Sequence, residues 1–375
     1  MSTFSEQFRK HFSQPPAAFA RAPGRVEFIG NHTDYNGGAV LGAAINRTVT
    51  VAAAPAPAGQ FNLRSMGGSV PVELALLPGG RLTGEAAWAN YPLGVWRALG
   101  DFGLPRPAGF NLLVDSDLPA GAGLSSSAAL ELATALALLK LADGTITPDR
   151  LAALGRHAEN TYVGVPCGIL DQGTSAHGET GQLVHIDCRG PVFARVPLPA
   201  DTHLWIFNTR EKHALVDGLY ATRHRECMTA AKVLGVKLLA DLTPAQFAAK
   251  SVRLDPVIAK RAQHVIEEHA RVGETVAALG RDDLVAVGRL LTASHRSSQH
   301  LFENSTPTLD RLVDLLTAHP AVLGARLTGG GFGGAVMALT RGTFVAGDAH
   351  AIAAQTRAHP EIIHLQTADG AKVIL

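Results

Sequence analysis

Apolar and polar residues recur with two different periods along this chain, and the periods predict two kinds of element. A two-residue period predicts strands at 26–29, 47–53, 61–63, 70–74, 110–114, 183–186, 203–207, 335–339 and 362–366. A period of three to four residues predicts helices at 1–14, 88–99, 128–141, 150–161, 216–234, 245–251 and 256–272. Because both kinds occur in both halves without a regular β-α-β order, we expect an α+β protein.

The length of the chain predicts its division into domains. A chain of 375 residues exceeds the usual size of one hydrophobic core, so we expect two domains. Prolines punctuate the segment 191–199, and we place the boundary there. The predicted domains are 1–190 and 191–375.

Composition and charge exclude several classes of partner. The formal net charge is +1, so no overall charge attracts nucleic acid or an anionic membrane. Residues 1–14 lack the apolar run of a signal peptide, and the apolar stretch 128–142 is interrupted by Glu131 and Lys140. Three cysteines without a CxxC pair fit a reducing compartment. We expect a cytoplasmic protein.

The segment 119–128 (PAGAGLSSSA) has the pattern of a phosphate-binding loop. Gly121 and Gly123 allow the backbone to approach a ligand, and serines then open the Ala- and Leu-rich helix at 128–141. The free N–H groups and dipole of a helix N-terminus favour an anion, and serine hydroxyls also ligate Mg²⁺. No Gly-Lys-Ser/Thr follows, so this is not a Walker A loop. The alternative is a Gly/Ser turn whose serines cap a core helix.

A second glycine-rich segment, 327–334 (LTGGGFGG), contains the spacing GxGxxG at Gly329, Gly331 and Gly334. A dinucleotide-binding site would need a helix after this motif, whereas the strand-like 335–339 follows it. We therefore reject a dinucleotide site and predict a tight turn lying against a nucleotide or the other domain.

The loop at 31–38 is rich in polar side chains. Asp34 and Asn36 could bind two hydroxyls of a sugar, and His32 could donate to a third. The alternative is an Asx turn that closes a hairpin. A metal site is disfavoured because His32 and Asp34 alone are too few ligands.

Acidic residues in the first half are candidates for phosphoryl-transfer chemistry. Asp171 follows a predicted tight turn, 166–170, and could deprotonate an attacking hydroxyl, with Arg25 stabilising the developing charge. Glu159 could complete a Mg²⁺ site with Ser126. The alternatives are an aspartate that caps a turn and a solvent-facing helix glutamate.

At these residues the sequence resembles the galactokinases, within the larger family of galactokinase, homoserine, mevalonate and phosphomevalonate kinases (GHMP kinases). The resemblance extends over nearly the whole chain. Besides the three motifs, the matching segments are 88–91 (WANY), 164–172 (GVPCGILDQ), 185–188 (HIDC), 220–227, 261–267 (RAQHVIE) and 294–295.

The resemblance implies a two-domain GHMP kinase fold with the active site in the cleft between the domains. It implies transfer of the γ-phosphoryl group of Mg-ATP to the anomeric hydroxyl of a hexose, with galactose as the first candidate, by a chain that acts as a monomer. In this family pattern, Asp171 is the base, Arg25 its electrostatic partner, and Ser126 and Glu159 hold Mg²⁺. The phosphates would contact Gly121, Ala122, Gly123, Leu124, Ser125, Ser126 and Ser127, the adenine Trp88, and the sugar Asn31, His32, Asp34, Gly168 and Tyr220.

Two positions depart from the family pattern. Galactokinases usually carry Asn at the position of Glu27 and Glu at the position of Asn31, where the resemblance implies contact with the 6-hydroxyl of the sugar. Asn31 could still hydrogen-bond there, but without charge, and it would not repel a 6-carboxylate. Galacturonate, a 6-deoxy sugar or a pentose is therefore the alternative to galactose. The alternation of Glu27 with Val26 and Phe28 along a strand leaves open whether it faces the sugar.

Two other functions compete with a sugar kinase. A catalytically silent sensor of sugar and ATP is disfavoured because the serine motif is intact and both Asp171 and Arg25 are present. A kinase for a mevalonate-type or amino-alcohol substrate is disfavoured by the polar loop at 32–36, which suits a polyhydroxylated ligand.

Overall fold

The computed structural model of the chain describes residues 2–119, 122–212 and 216–375, and its strands form two sheets. The helices are α1 (Ser2–Phe12), α2 (Asn90–Asp101), α3 (Ser126–Leu141), α4 (Pro148–Ala158), α5 (Leu170–His177), α6 (Val216–Leu234), α7 (Pro244–Lys250), α8 (Pro256–Leu279), α9 (Leu284–Ser297), α10 (Pro307–Thr317) and α11 (Ala346–Ala353). The strands are β1 (Ala18–Ile29), β2 (Ala39–Pro55), β3 (Phe61–Ser65), β4 (Val72–Leu74), β5 (Phe110–Ser116), β6 (Gln182–Asp187), β7 (Val192–Pro197), β8 (Thr202–Lys212), β9 (Val322–Thr328), β10 (Gly333–Arg341), β11 (Glu361–Leu365) and β12 (Lys372–Val373).

The first sheet has the strand order β12-β1-β2-β5-β3-β4, and β6 joins β2 to β7. The long strands β1 and β2 form an antiparallel hairpin whose connection is the polar loop. The register of this pair shifts between Pro23 and Arg25 and again between Glu27 and Ile29. Such bulges turn side chains out of the regular alternation. They flank the two charged residues that β1 places beside the cleft, Arg25 and Glu27.

The second sheet has the antiparallel order β11-β8-β10-β9. Its hairpin β9–β10 is closed by the glycine-rich turn, so the prediction of a strand after that motif is confirmed. Apolar residues of β1 and β2, such as Phe28 and Leu41, share a buried core with Ile206 of β8 and Met337 of β10. The two sheets therefore pack on one another, and this shared core supports the loops that line the cleft.

Helix α3 is buried on nearly every side. It packs against β1, β2, α2 and α4, and both Leu132 and Leu138 are fully buried. A helix with core on all sides is apolar all round, as this one is. Burial of each leucine stabilises the fold by about 1.5–3 kcal/mol, so the helix fixes the position of the phosphate loop that precedes it.

All the strands and helices predicted from periodicity are present, and the α+β class is confirmed. Helix α8 extends to Leu279, beyond the predicted end at 272. Asp171 lies in the first turn of α5, whereas the sequence predicts only a turn before it. Periodicity did not predict α5 because eight residues are too few to show a helical pattern. The sequence analysis also did not predict α9, α10, α11, β7, β9 and β12.

The predicted boundary at 190/191 falls within the β6–β7 hairpin of the first sheet, and the division into domains stays a prediction. Within the described residues, no helix combines the length and apolar character needed to cross a membrane.

Helix α9 packs closely on β9 at Gly288, so a substitution at this glycine tests that packing. A Cβ atom added to Gly288 would lie 1.9 Å from the carbonyl oxygen of Leu323. We expect Gly288→Ala to lower the free energy of unfolding by about 1–3 kcal/mol, because two backbones must separate. Gly273→Ala in α8 is the matched control, since nothing lies within 4 Å of its added Cβ. It should stabilise by about 0.5–1 kcal/mol in the same urea titration. Equal effects of the two substitutions would contradict this packing.

Candidate active site

A cavity of about 550 Å³ opens between the loops of the two sheets. The polar loop and the end of β1 form one wall, and residues 164–171 form another. Tyr220 of α6 and the turn residues Gly329 and Gly330 complete the lining. Segments far apart in the sequence thus meet around one volume.

A hydrogen-bonded group of three residues, Arg25, Asp171 and Ser125, lies at one end of the cavity. Arg25 donates through Nε (2.8 Å) and Nη2 (2.5 Å) to Oδ1 of Asp171. Its Nη1 donates to the carbonyl oxygen of Gly123 at 2.6 Å. The hydroxyl of Ser125 donates to the other carboxylate oxygen, Oδ2, at 2.5 Å. One buried guanidinium therefore fixes the carboxylate of Asp171 against the phosphate loop.

The phosphate loop leads into α3 with a backbone that differs from the expected helix cap. Ser125 occupies the N-cap position with a left-handed φ of 56°, and its side chain does not cap the helix. The alternative in which a serine side chain caps the helix is therefore wrong at Ser125, because its hydroxyl binds Asp171 instead. The N–H groups of the first turn, from Ser126 onward, lack an intrahelical acceptor.

The other loop residues have clear positions, apart from Gly121, which lies outside the described residues. Ala122 and Leu124 are buried in the core shared by the sheets. Ser126 and Ser127 begin α3. The loop is thus anchored by apolar side chains, which leaves the N–H groups at the start of α3 for a ligand.

A pair of buried carboxylates lies beside Asp171. The side-chain amide of Gln172 donates to Glu159 at 2.7 Å and to Glu131 at 3.0 Å. Burial raises the pKa of Glu159, and the charge of Asp171 raises it further. Burial likewise raises the pKa of Glu131, whose Oε1 has no hydrogen-bond partner among the described residues. A cation bound here would offset the repulsion between these carboxylates and would lower their raised pKa values.

Asp34 points into the cavity from the polar loop, next to Gly168. A Cβ atom at Gly168 would lie 1.7 Å from Oδ2 of Asp34, so a side chain there would displace the carboxylate. Burial is the main cause that raises the pKa of Asp34 to about 6, and the charges of Glu27 and Asp171 add to it. Its Oδ1 accepts from the backbone N–H of Tyr35 at 2.9 Å, and this bond only partly offsets the effect of burial on the pKa.

His32, Tyr35 and Tyr220 form an aromatic cluster on the same side of the cavity as Asp34. His32 Nε2 lies 3.0 Å from the carbonyl oxygen of Gly330, which can only accept, so Nε2 carries the hydrogen. Nδ1 then accepts from the hydroxyl of Tyr35 at 2.9 Å. Burial lowers the pKa of His32 to about 3, so the ring is neutral. Both ring nitrogens are engaged, and a direct bond from His32 to a sugar would require the loss of one of these contacts.

Tyr220 packs against the ring of His32, with centroids 5.1 Å apart. Its hydroxyl has no hydrogen-bond partner among the described residues, and its side chain lines the cavity. It can offer an apolar ring face and one hydroxyl to a ligand.

Trp88 lies apart from this cavity. It is half-buried in a short 3-10 turn, Gly84–Ala89, and its indole N–H donates to the carbonyl oxygen of Val70 at 3.0 Å. The predicted contact between Trp88 and an adenine ring stays a prediction.

Several residues of the cleft were not identified from the sequence. Arg326 is fully buried and donates to Oε1 of Glu27 at 2.8 Å. Glu268, also fully buried, accepts from the backbone N–H groups of Gly30 and Asn31 at 3.1 and 3.2 Å. Asn304 donates to Oδ1 of Asn31 at 2.8 Å. A charged residue in an apolar strand, as Arg326 is in β9, was the only available signal.

Comparison with known proteins identifies the family. Residues 6–55 match the galactokinase galactose-binding signature. Residues 90–179 match the N-terminal domain of GHMP kinases, and residues 275–359 match their C-terminal part. The galactokinase of Actinobacillus pleuropneumoniae serotype 3 is 39% identical over 341 residues, which cover 89% of this chain and 88% of that protein.

The chain belongs to the galactokinase family. The crystal structure of Lactococcus lactis galactokinase complexed with galactose superimposes with a TM-score of 0.93 and 30% identity, over 99% of each chain. The mevalonate kinase of Methanococcus jannaschii matches with a TM-score of 0.62 and 18% identity, over 94% of this chain and 98% of that one, which shows the shared fold alone. The chain therefore has the GHMP kinase fold and is a phosphotransferase that acts on a sugar hydroxyl with ATP.

The buried carboxyl of Glu131 gives a pH-dependent prediction. A folded-state pKa above the ordinary value favours folding at low pH and loses that contribution as pH rises through the folded pKa. Glu131→Gln removes this loss, so the unfolding free energy of the variant minus that of the parent should be larger at pH 8 than at pH 5, by about 1.4 kcal/mol for each pH unit of that interval that lies below the folded pKa. Urea titrations at both pH values measure it. Glu274→Gln, at an exposed position of α8, is the control; a pH-independent difference at Glu131 would contradict the assignment.

Proposed function

We propose that this protein transfers the γ-phosphoryl group of ATP to the anomeric hydroxyl of galactose, with Asp171 as the base. The observation that carries the proposal is the group formed by Arg25, Asp171 and Ser125, which joins a cavity lined by several carboxylates to the phosphate loop. The acceptor of phosphoryl transfer must meet the terminal phosphate at such a junction. The crystal structure of the Lactococcus lactis relative, which is complexed with galactose, supports this sugar as the substrate.

Asp171 is suited to act as the base because of how it is held. Arg25 binds one oxygen, Oδ1, through two N–H groups and leaves Oδ2 with only the Ser125 hydroxyl. A sugar hydroxyl that replaces Ser125 would donate to Oδ2. Its oxygen attacks the γ-phosphorus, the proton passes to Asp171, and ADP departs with the bridging oxygen.

Arg25 has a second role in this proposal. Its guanidinium contacts both Asp171 and the carbonyl of Gly123 in the phosphate loop. A fixed positive charge at this point stabilises the negative charge that develops on the attacking oxygen and on the transferring phosphoryl group. Because the guanidinium is already hydrogen-bonded in place, little reorganisation is needed during the reaction.

We propose that the phosphates of ATP lie against the loop 121–127 and the N-terminus of α3. The residues fit a magnesium site: Glu159 lines the cavity with a buried carboxylate that is hydrogen-bonded to the Ser127 hydroxyl, and Ser126 precedes Ser127 at the start of α3. Mg²⁺ usually takes one or two protein oxygens and completes its shell with phosphate oxygens and water. Bound there by Ser126 and Glu159, it would neutralise charge on the phosphates. Trp88 remains the proposed neighbour of the adenine.

At the other end of the cavity, Asp34 and Tyr220 supply polar atoms for sugar hydroxyls, and Gly168 makes room for Asp34. His32 supports this end through its bonds to Tyr35 and Gly330. We propose that the chain acts as a monomer. The three cysteines form no disulfide, which supports a reducing, cytoplasmic setting.

The base is tested by Asp171→Asn. We expect kcat to fall by about 10²–10⁴-fold, because the amide keeps the shape but cannot take the proton. ATP affinity, measured by calorimetry, should stay close to that of the parent. Asp149→Asn, at an exposed carboxylate of α4, is the control and should leave kcat unchanged. Near-normal turnover by the Asp171 variant would remove its proposed role.

The raised pKa of Asp34 predicts how sugar affinity depends on pH. Its pKa is raised to about 6, mainly by burial, so the carboxylate is mostly protonated below that pH. Two sugar hydroxyls can donate to the ionised form only, so the Kd for galactose should rise by up to about tenfold per pH unit below pH 6. Titration calorimetry without ATP from pH 5 to pH 8 measures this. Asp34→Asn should bind weakly and without that pH dependence; an equally steep profile in this variant would assign the titration to another group.

A further inference from the structure

We propose that Glu27, and not Asn31, presents the hydrogen-bond acceptor that distinguishes sugars in this chain. The inference rests on the proposed function and concerns the same cavity. It assigns a specificity role to a residue that the family pattern places elsewhere, and it follows from the hydrogen bonds around two neighbouring side chains.

Asn31 has no hydrogen-bonding capacity left for a ligand. Its Nδ2 donates to Oε1 of Glu27 at 3.0 Å and to the carbonyl oxygen of Gly329 at 2.8 Å. Its Oδ1 accepts from Asn304 at 2.8 Å and from Ser298 at 3.4 Å. A primary amide has two donor hydrogens and two acceptor lone pairs, so all four positions are occupied. Asn31 thus ties the polar loop to the glycine-rich turn of the second sheet.

Glu27 is engaged through one oxygen only. Oε1 accepts from Asn31 and, at 2.8 Å, from the fully buried guanidinium of Arg326. Oε2 accepts no hydrogen bond from the described residues, and Glu27 lines the cavity. Its charge contributes to the raised pKa of both Asp34 and Tyr220, which face that same space. A carboxylate held rigidly by one oxygen leaves the other available to a hydroxyl.

The backbone explains how a strand residue reaches the sugar end. Glu27 lies between the two register shifts of the β1–β2 pair, so the regular alternation with Val26 and Phe28 does not decide its direction. Arg326 also donates to the carbonyl oxygens of Glu27 and Phe28, at 3.1 and 3.2 Å. The second sheet therefore holds both the backbone and the side chain of this position.

The consequence for specificity is the reverse of that expected from Asn31 alone. The cavity keeps a fixed negative charge beside the sugar, which accepts from a hydroxyl and repels a carboxylate. Neutral hexoses with a donor at that position fit, and uronic acids are excluded. The exchange of residue types between positions 27 and 31 moves the carboxylate to another backbone position without removing it from the cavity.

A thermodynamic cycle tests the assignment. The Glu27 carboxylate is removed by Glu27→Gln, each sugar hydroxyl is removed by the use of a deoxygalactose, and the two changes are made separately and together. Calorimetric Kd values would be measured for galactose and its 2-, 3-, 4- and 6-deoxy forms. We expect Glu27→Gln to weaken galactose binding by about tenfold or more, because a charge-assisted bond is lost. For the one deoxy sugar that lacks the hydroxyl bound by Glu27, the substitution should weaken affinity by no more than about threefold. For the other deoxy sugars, it should weaken affinity by as much as it does for galactose.

Asn31→Ala is the matched variant, since it removes the neighbouring side chain. It should weaken all five sugars by a similar factor, because its role is to position the loop. A purely structural role of Glu27 would produce that same uniform loss and would overturn the proposal, as would hydroxyl-specific coupling at Asn31 alone.

Galacturonate gives an independent readout. The parent should discriminate strongly against it, and Glu27→Gln should narrow the ratio of galactose to galacturonate affinity by at least about tenfold. Glu27→Asp keeps the charge and should keep the discrimination; it replaces Glu27→Gln if that variant does not fold by circular dichroism. Unchanged discrimination in Glu27→Gln, or its loss in a folded Glu27→Asp, contradicts the assignment. Failure of the parent to bind or phosphorylate galactose would instead contradict the proposed function.

Discussion

A single buried guanidinium, that of Arg326, ties the second sheet to the first at the point where the cleft forms. It donates from β9 to two carbonyl oxygens and one carboxylate oxygen on β1, and to the hydroxyl of Ser294 on α9. A buried charge is destabilising unless its donors are satisfied, and here Nε and both terminal nitrogens have acceptors. The relative position of β1 and β9, and therefore the width of the cavity, depends on this network.

The same network extends to the polar loop through Glu268. The hydroxyl of Ser294 donates to Glu268 at 2.6 Å, and Glu268 in turn accepts from the backbone of Gly30 and Asn31. Burial alone would raise the pKa of Glu268, but the charges of Arg271 and Arg326 outweigh it and lower the pKa to about 2. The loop that carries Asp34 is thus fixed by an ionised group on a long helix of the other half. Rigid support of this kind suits a site that must orient several hydroxyls at once.

Charge is distributed unevenly along the cleft, and this divides its chemistry. The end of the cleft that we propose for the sugar contains Glu27 and Asp34, whose carboxylates accept hydrogen bonds. The end that we propose for the phosphates has the N-terminus of α3 and Arg25, which favour negative charge. Asp171 lies where these regions meet, held by Arg25 on one oxygen. Glu159 and Glu131 lie near Asp171 and share the amide of Gln172. In this proposal, the sugar that accepts the phosphoryl group and the ATP that donates it bind at opposite ends of the cleft and react beside Asp171.

The sequence by itself determined the family, the α+β class, most helices and strands, and the candidacy of Arg25, Asp34 and Asp171. These follow from local periodicity and from compact motifs, which a linear reading can detect. Only the tertiary structure decided that Ser125 binds Asp171, that the nitrogens of His32 are engaged, and that the amide of Asn31 is fully used while Glu27 keeps one oxygen for the cavity. The physical reason is that these facts depend on hydrogen bonds between residues up to about 300 positions apart. A side chain's residue type states what it can bind, but which of its donors and acceptors remain available depends on the neighbours that folding brings to it.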